Sequence, residues 1–160
     1  KNYDLHTVIC RPTAVYGPHD DFDPVASHVV PALIRKAVEK IDPYEVWGTG
    51  DEVRDFCYVT DAVEGGLLCL EKYATGDAVN LGYGKSFTIK EVVGHILKAA
   101  GHDTVKIRFD ASKQTTIPFR MVDISKAREK LGFEPKVSLQ EGLTLTLNWY
   151  KKNRSKAQGA

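Results

Sequence analysis

An excess of either charge is the first thing this sequence lacks: 22 basic residues face 21 acidic ones in 160, for a net charge of +1. That balance excludes a broad electrostatic footprint for nucleic acid or an anionic membrane, although local basic clusters can still hold a phosphorylated small molecule. Cysteine is scarce. Cys10, Cys57 and Cys69 are odd in number and stand at no metal-ligand spacing. Neither a disulfide framework nor a metal centre is therefore expected, and buried thiols in a reducing setting are. The first residues are polar, no signal peptide is visible, and no apolar run approaches the roughly eighteen residues of a membrane span. The expectation is a soluble, cytoplasmic protein. Internal repeats and low-complexity linkers are absent too. So is a glycine-rich phosphate loop. Gly82-Tyr83-Gly84-Lys85-Ser86 ends like one, but Val79 stands where its first glycine belongs, which leaves a strand-to-helix turn.

What is present suits one folded unit. A hydrophobic content of 42% over this length can bury about 70% of the extended-chain surface. Residues 3–10 alternate loosely and are rich in β-formers, which predicts a strand running into a loop at Arg11-Pro12. Gly17-Pro18-His19-Asp20-Asp21 is turn chemistry. A helix is predicted over about 27–40, and because Pro31 fits only a first turn, it must begin close to His28. Short β runs at 45–47 and 54–58 flank the tight connection Gly48-Thr49-Gly50-Asp51. Thr60 or Asp61 would cap a helix reaching about Tyr73; 77–81 reads as another strand. Thr88-Ile89-Lys90-Glu91 is a capping box opening a helix to Ala100, with Gly101 beyond its end. A β run at 105–109, a short helix from Ser125 to Gly132 and a second box at Ser138-Leu139-Gln140-Glu141 follow. The last helix runs to about Lys152. Strands alternating with helices define an α/β class.

Several side chains could carry chemistry. His28 is suited to general acid or base work near neutral pH, or else merely caps a helix start. Were both on one helix, Arg35 would lie seven residues on, within roughly 20° of the same face and about 10 Å along the axis. Arg54 offers a planar fork for two phosphate oxygens, or a surface salt bridge to Asp51, Glu52 or Asp55. Trp47 is core or the wall of an aromatic-binding site. Lys36 and Lys113, like Arg35, are solvated charges by default. Tyr16 reads as packing. His6, His19, His95 and His102 have no partners at ligand spacing, and one histidine beside Asp20 and Asp21 does not make a metal site.

Four stretches carry a resemblance: Arg11-Pro12-Thr13-Ala14-Val15-Tyr16-Gly17-Pro18-His19-Asp20, Ser27-His28-Val29-Val30-Pro31-Ala32-Leu33-Ile34-Arg35-Lys36, Val46-Trp47-Gly48-Thr49-Gly50, and Arg54-Asp55-Phe56-Cys57-Tyr58-Val59-Thr60-Asp61. Together they resemble the carboxy-terminal half of extended short-chain dehydrogenase/reductases acting on nucleotide sugars, nearest the GDP-fucose synthase branch. The resemblance implies His28 as the acid that protonates a substrate carbanion during epimerisation. It places Arg54, with Arg35 and Lys36, on the substrate diphosphate, Trp47 beside the nucleobase, and Lys113 of Phe109-Asp110-Ala111-Ser112-Lys113 on the nucleotide. Pro12, Thr13 and Ala14 would approach the nicotinamide end of an NADP cofactor. Asp123, Lys126 and Leu131-Gly132-Phe133-x-Pro135 match a segment that closes the domain. The implied architecture is the substrate-binding part of a Rossmann-type reductase, including strands that complete the cofactor-domain sheet. The full-length enzyme would be a homodimer.

The same resemblance shows what is missing. The family's G-x-x-G-x-x-G turn does not occur, and none of the seven tyrosines has a lysine four residues later. Hydride transfer needs the cofactor and that pair, so residues 1–160 read as the substrate-binding portion alone, inactive by itself. Ala14 stands where the family usually has asparagine, and Gln114-Thr115-Thr116 replace a commoner P-D-G. Both changes fall at the substrate and leave its identity open. A nucleotide-sugar 4-epimerase or dehydratase, needing no acid at His28, is the near alternative. A non-catalytic nucleotide-sugar-binding or interaction module is the distant one.

Overall fold

In the computed structural model, residues 6–113 and 117–157 are described, with side chains as far as residue 154. The start of the predicted first strand and Gln114-Thr115-Thr116 lie outside the described residues. In chain order the elements are β1 (Thr7–Pro12), β2 (Ala14–Tyr16), α1 (Val29–Val38), β3 (Tyr44–Trp47), β4 (Val53–Tyr58), α2 (Val59–Lys72), β5 (Thr75–Leu81), β6 (Ser86–Thr88), α3 (Ile89–Ala100), β7 (Ile107–Asp110), β8 (Phe119–Arg120), α4 (Ser125–Leu131) and α5 (Leu139–Ala157).

Local chemistry sets the helix ends. Thr88 Oγ1 accepts the Glu91 N–H while the Glu91 carboxylate takes the Thr88 N–H, so the first capping box forms as expected, and Gly101 at φ +61° closes the helix. At the second box Ser138 Oγ accepts the Glu141 N–H. The helix after β4 departs from expectation. Its N-cap is Tyr58, not Thr60 or Asp61, and Tyr58 makes no side-chain cap. Asp61 is already inside the first turn, where its buried carboxylate accepts the Lys136 and Val137 N–H groups at 3.1 and 3.0 Å. A residue with a capping side chain has been used to hold a distant strand of chain instead.

The strands form three small sets. β1 pairs with β5 in parallel; β2, β4 and β6 form a row with β8 joined to β4; β3 pairs with β7 in parallel. The first strand runs on to Pro12, which lies opposite Leu81. The β run expected at 105–109 begins at Ile107. The short strands β2, β6 and β8 were not legible as strands, since two or three residues carry no periodicity.

Two apolar clusters fill the interior. The larger joins α1, α3 and α5 to Tyr16, Tyr44, Val46, Phe56 and Tyr58; the smaller joins β5, α2 and α4 through Val79, Leu81, Cys69, Leu131 and Phe133. Gly65 lets α2 approach the smaller one closely: a Cβ there would stand 2.8 Å from the Leu81 side chain. Asp61 ties the chain before α5 to α2. Asp55, on β4, ties the loop after β5 to the larger cluster by accepting the Tyr83 and Gly84 N–H groups at 2.9 and 3.2 Å. That loop is the one whose glycines look phosphate-binding. The anion its amides hold is the protein's own carboxylate, and Gly82 is required because a Cβ would meet Asp55 Oδ2 at 2.7 Å.

Candidate active site

His28 is the N-cap of α1, with φ −67°, ψ 169° and no side-chain cap. The helical-face relation to Arg35 therefore does not extend to it, because its backbone is extended rather than helical. The His28 side chain is 82% exposed, and its Nδ1 lies 3.7 Å from Asp20 Oδ1. Asp20 is enclosed by comparison, with its side chain 14% exposed. Burial pushes its carboxyl above the usual carboxylate range, against the Asp21 N–H and His28, which both pull it down. It borders a cavity of about 180 Å³ with Tyr16, Gly17, His19 and Val59. Tyr16 is structural: its buried phenol lies 3.4 Å from the Leu139 carbonyl, and burial raises it far above its ordinary value.

Arg35 and Lys36 are engaged elsewhere. Arg35 is not on the helix surface; it is buried and its Nη1 bonds Glu39 Oε2 at 2.9 Å. Glu39 also accepts the Tyr150 hydroxyl at 3.1 Å, so this group fastens α1 to α5. Lys36 Nζ donates to the Glu45 carbonyl at 2.8 Å, joining α1 to β3. Burial lowers its ammonium, Glu45 opposes that shift, and Arg35 adds to it.

Two other groupings are assembled at strand ends. Trp47, at the end of β3, is 57% exposed and carries Lys113 Nζ 5.8 Å from its ring centroid. Arg54 on β4 lies directly across from Arg120 on β8. Arg54 Nη1 donates to the Val53 carbonyl at 2.8 Å and the Pro118 carbonyl at 3.3 Å. Burial first, and Arg120 second, push its guanidinium below the ordinary value, with Glu52 opposing. Arg120 was missed in the sequence, where only its place just after the 113–117 segment could have marked it. Just beyond it, Met121, Val122, Asp123, Ser125 and Arg128 border a cavity of about 410 Å³.

The turn between Trp47 and Arg54 is held by Glu52, whose carboxylate takes the Thr49 and Gly50 N–H groups, both at 2.9 Å. Burial opposes its ionisation, but these amides and its own outweigh burial and hold the carboxyl below its ordinary 4.5. The sign follows. A carboxyl lowered on folding contributes stability that is complete above about pH 4.5 and is lost as pH falls through the folded value. Glu52→Gln is expected to cost about 1–2 kcal/mol at neutral pH. The gap from the parent should close in acid, as read by denaturant unfolding across pH.

Where β1 runs into β2, the Thr13 N–H donates to the Leu81 carbonyl and its hydroxyl to the Asp55 carbonyl. Pro12 ends β1, and Ala14 is half-buried against the larger core. These residues offer a wall with no free polar side chain. No glycine-rich strand-to-helix turn occurs among the described residues, so they do not fit a whole nicotinamide dinucleotide. No group of three or more histidine, cysteine or acidic side chains among them could hold a metal ion, and no helix among them is long and apolar enough to cross a membrane. The buried thiols of Cys57 and Cys69 are each pushed up to about 12, chiefly by burial.

A model of the NAD-dependent epimerase/dehydratase family matches residues 1–82, half of the chain. The chain belongs to that family. GDP-L-fucose synthase 1 of Arabidopsis thaliana is 40% identical over 146 residues, 89% of this chain and 45% of that protein. A dTDP-4-dehydro-6-deoxy-D-allose reductase from Streptomyces is 32% identical, covering 94% of this chain and 45% of its own length. Among solved structures, UDP-glucose 4-epimerase of Thermotoga maritima with UDP-glucose superposes with a TM-score of 0.84 at 32% identity, over 95% of this chain and 48% of that one. The chain thus spans about half the length of the relatives it matches. The α/β, Rossmann-type reading of the sequence and its relation to nucleotide-sugar enzymes are both shown.

Proposed function

We propose that residues 1–160 are the substrate-binding portion of an NADP-linked nucleotide-sugar epimerase/reductase of the GDP-fucose synthase type, converting GDP-4-keto-6-deoxymannose to GDP-fucose. The observation that carries this reading is the Arg54–Arg120 juxtaposition. Like charges directly opposed on neighbouring strands are destabilising, and an intervening diphosphate turns that cost into a double clamp. Trp47 and Lys113 form a flat cationic wall suited to the nucleotide beyond it. Lys36 supports this side from α1, and Arg35 acts as a strut. His28 donates the proton that completes epimerisation next to a 4-keto group. Pro12, Thr13 and Ala14 line the nicotinamide side, and the reduction is carried by groups outside this chain, which by itself is inactive. The full-length enzyme is proposed to be a cytoplasmic homodimer.

Ala14 favours one second reading. Its methyl offers no hydrogen bond to a sugar hydroxyl, so a sister 4-epimerase or dehydratase acting on a different nucleotide sugar fits the same frame. A thermal-shift titration with GDP, UDP, CDP and dTDP, and NADP as a control, separates the two. A ligand at about 100 times its Kd adds roughly 2.7 kcal/mol to the folded state, a rise of several degrees for a chain of this size. Selective stabilisation by GDP is the expected result. Selectivity for another nucleotide moves the assignment to a sister enzyme, and no shift with any of them sinks the idea that this chain holds the diphosphate.

A further inference from the structure

Asp20 poses a problem that the fold alone does not answer. Its Oδ1 is satisfied by the Asp21 N–H at 2.9 Å, yet its Oδ2 is buried with no hydrogen-bond partner. A buried, unpartnered carboxylate oxygen costs stability and is rare in native structures. The residue before it, His19, sits at φ +68°, a left-handed conformation that non-glycine residues seldom adopt. Backbone in that region and an orphaned acid together mark a place where packing has been traded for something else. Two imidazoles, the side chains able to exchange protons near neutral pH, stand beside Asp20: His28 Nδ1 faces the carboxylate at Oδ1, whereas the His19 ring turns to Trp149.

The surroundings narrow the possibilities. The charges that act on Asp20 are His28 and Asp21. Asp23, on the same loop, is turned to the Val25 and Ala26 N–H groups, and Arg35 of α1 acts on it from a distance. From α5, Trp149 meets the His19 ring at 4.7 Å, and from α2 only the apolar Val59 borders the cavity. The imidazole of His28 is the cationic group that acts on the carboxylate.

We propose that Asp20 is a positioning residue for His28: its carboxylate takes the Nδ1–H, holds one ring orientation and tautomer, and leaves Nε2 to face the substrate. The inference rests on the reading of His28 as the epimerisation acid. At 3.7 Å the pair is an ionic contact rather than a hydrogen bond, and such catalytic contacts commonly shorten when substrate is bound. In the step itself the carbanion carbon forms a C–H bond with the Nε2 proton, and the electron pair of the broken N–H bond stays on the ring. The imidazolium becomes neutral, with its remaining proton on Nδ1 toward Asp20. Solvent restores the Nε2 proton before the next cycle.

The test reads the ring nitrogens directly, without turnover. In this chain labelled with nitrogen-15 at histidine, neutral His28 is expected as the Nδ1–H tautomer, moving toward Nε2–H in Asp20→Asn and back in Asp20→Glu. A tautomer indifferent to Asp20→Asn overturns the proposal. Should that variant fail to fold, the Asp20 carboxyl carbon-13 resonance of the unaltered chain serves instead. It must move as His28 titrates, and a carboxyl that ignores the titration overturns the proposal equally. In the full-length enzyme Asp20→Asn is expected to slow solvent-hydrogen exchange at the epimerised carbons by about tenfold or more with KM unchanged. Full activity in His28→Ala beside an Asp20-dependent tautomer would remove the acid role of His28 and leave the dyad standing, so the two failures are distinguishable.

Discussion

His28→Ala is expected to lower epimerisation in the full-length enzyme by about 10²–10⁴-fold, the usual contribution of a positioned proton donor. The same change should hardly touch stability. The imidazole is 82% exposed and caps no helix N–H, so removing it belongs with neutral surface substitutions of roughly 0.5 kcal/mol or less. That is about 1–2 °C in melting temperature for a chain of this size. The measurement is solvent-deuterium incorporation into product beside a thermal melt of the same preparation. A large loss of exchange with an unmoved melt identifies a reacting group. Retained exchange ends the acid assignment and returns the family relation to a sister enzyme that needs no such proton.

Arg54→Met should separate affinity from stability with opposite signs. A charge-assisted hydrogen bond to a phosphate contributes about 2 kcal/mol, so losing even one bond of the Arg54 fork weakens diphosphate binding by about 30-fold. Without ligand, the substitution removes one of two opposed cations while the methionine stem keeps the packing of the arginine methylenes. The ligand-free melting temperature should stay level or rise. Arg120→Ala should repeat the pattern, and the double variant should lose less affinity than the two single losses added together, because the pair acts on one group. Titration calorimetry with GDP at two salt concentrations reads both terms, the parent showing the steeper salt dependence. A variant that loses stability and keeps its affinity would make Arg54 a tie between the Val53 and Pro118 carbonyls and nothing more.

How much of this was legible before the fold depended on whether the cause was local. The capping box at Thr88 and Glu91, the glycine stop at Gly101 and the restriction of Pro31 to a first turn are contacts between near neighbours, and each was readable. Asp61 shows where locality fails. It has the right chemistry for a cap, but its carboxylate meets amides at Lys136 and Val137, a pairing no short window contains. Asp55 and the 82–84 loop repeat the lesson, with an internal carboxylate standing in the place of an expected turn. Among candidate site residues, Trp47, Lys113, Arg54 and His28 were proposed from residue type and motif. Arg120 and Asp20 were not, because each gains its meaning from a partner that only the folded chain brings near. Arg35 was visible but misplaced: a buried guanidinium paired four residues along its own helix looks, in sequence, like any surface charge.

The β1–β5 pairing has a consequence for the order in which this molecule assembles. Thr7 lies opposite Thr75 and Pro12 opposite Leu81, so that ladder closes a loop containing β2, α1, β3, β4 and α2. The larger cluster needs a longer closure still, because it is complete only when α5 packs on α1 and Tyr16 reaches Leu139. Loop-closure entropy grows with the length enclosed, and long-range parallel pairing is correspondingly slow. The larger cluster is therefore completed after the smaller one, when α5 closes over it. Pro12, Thr13 and Ala14 are the seam between them, so the end of β1 takes its final shape only when both clusters are in place.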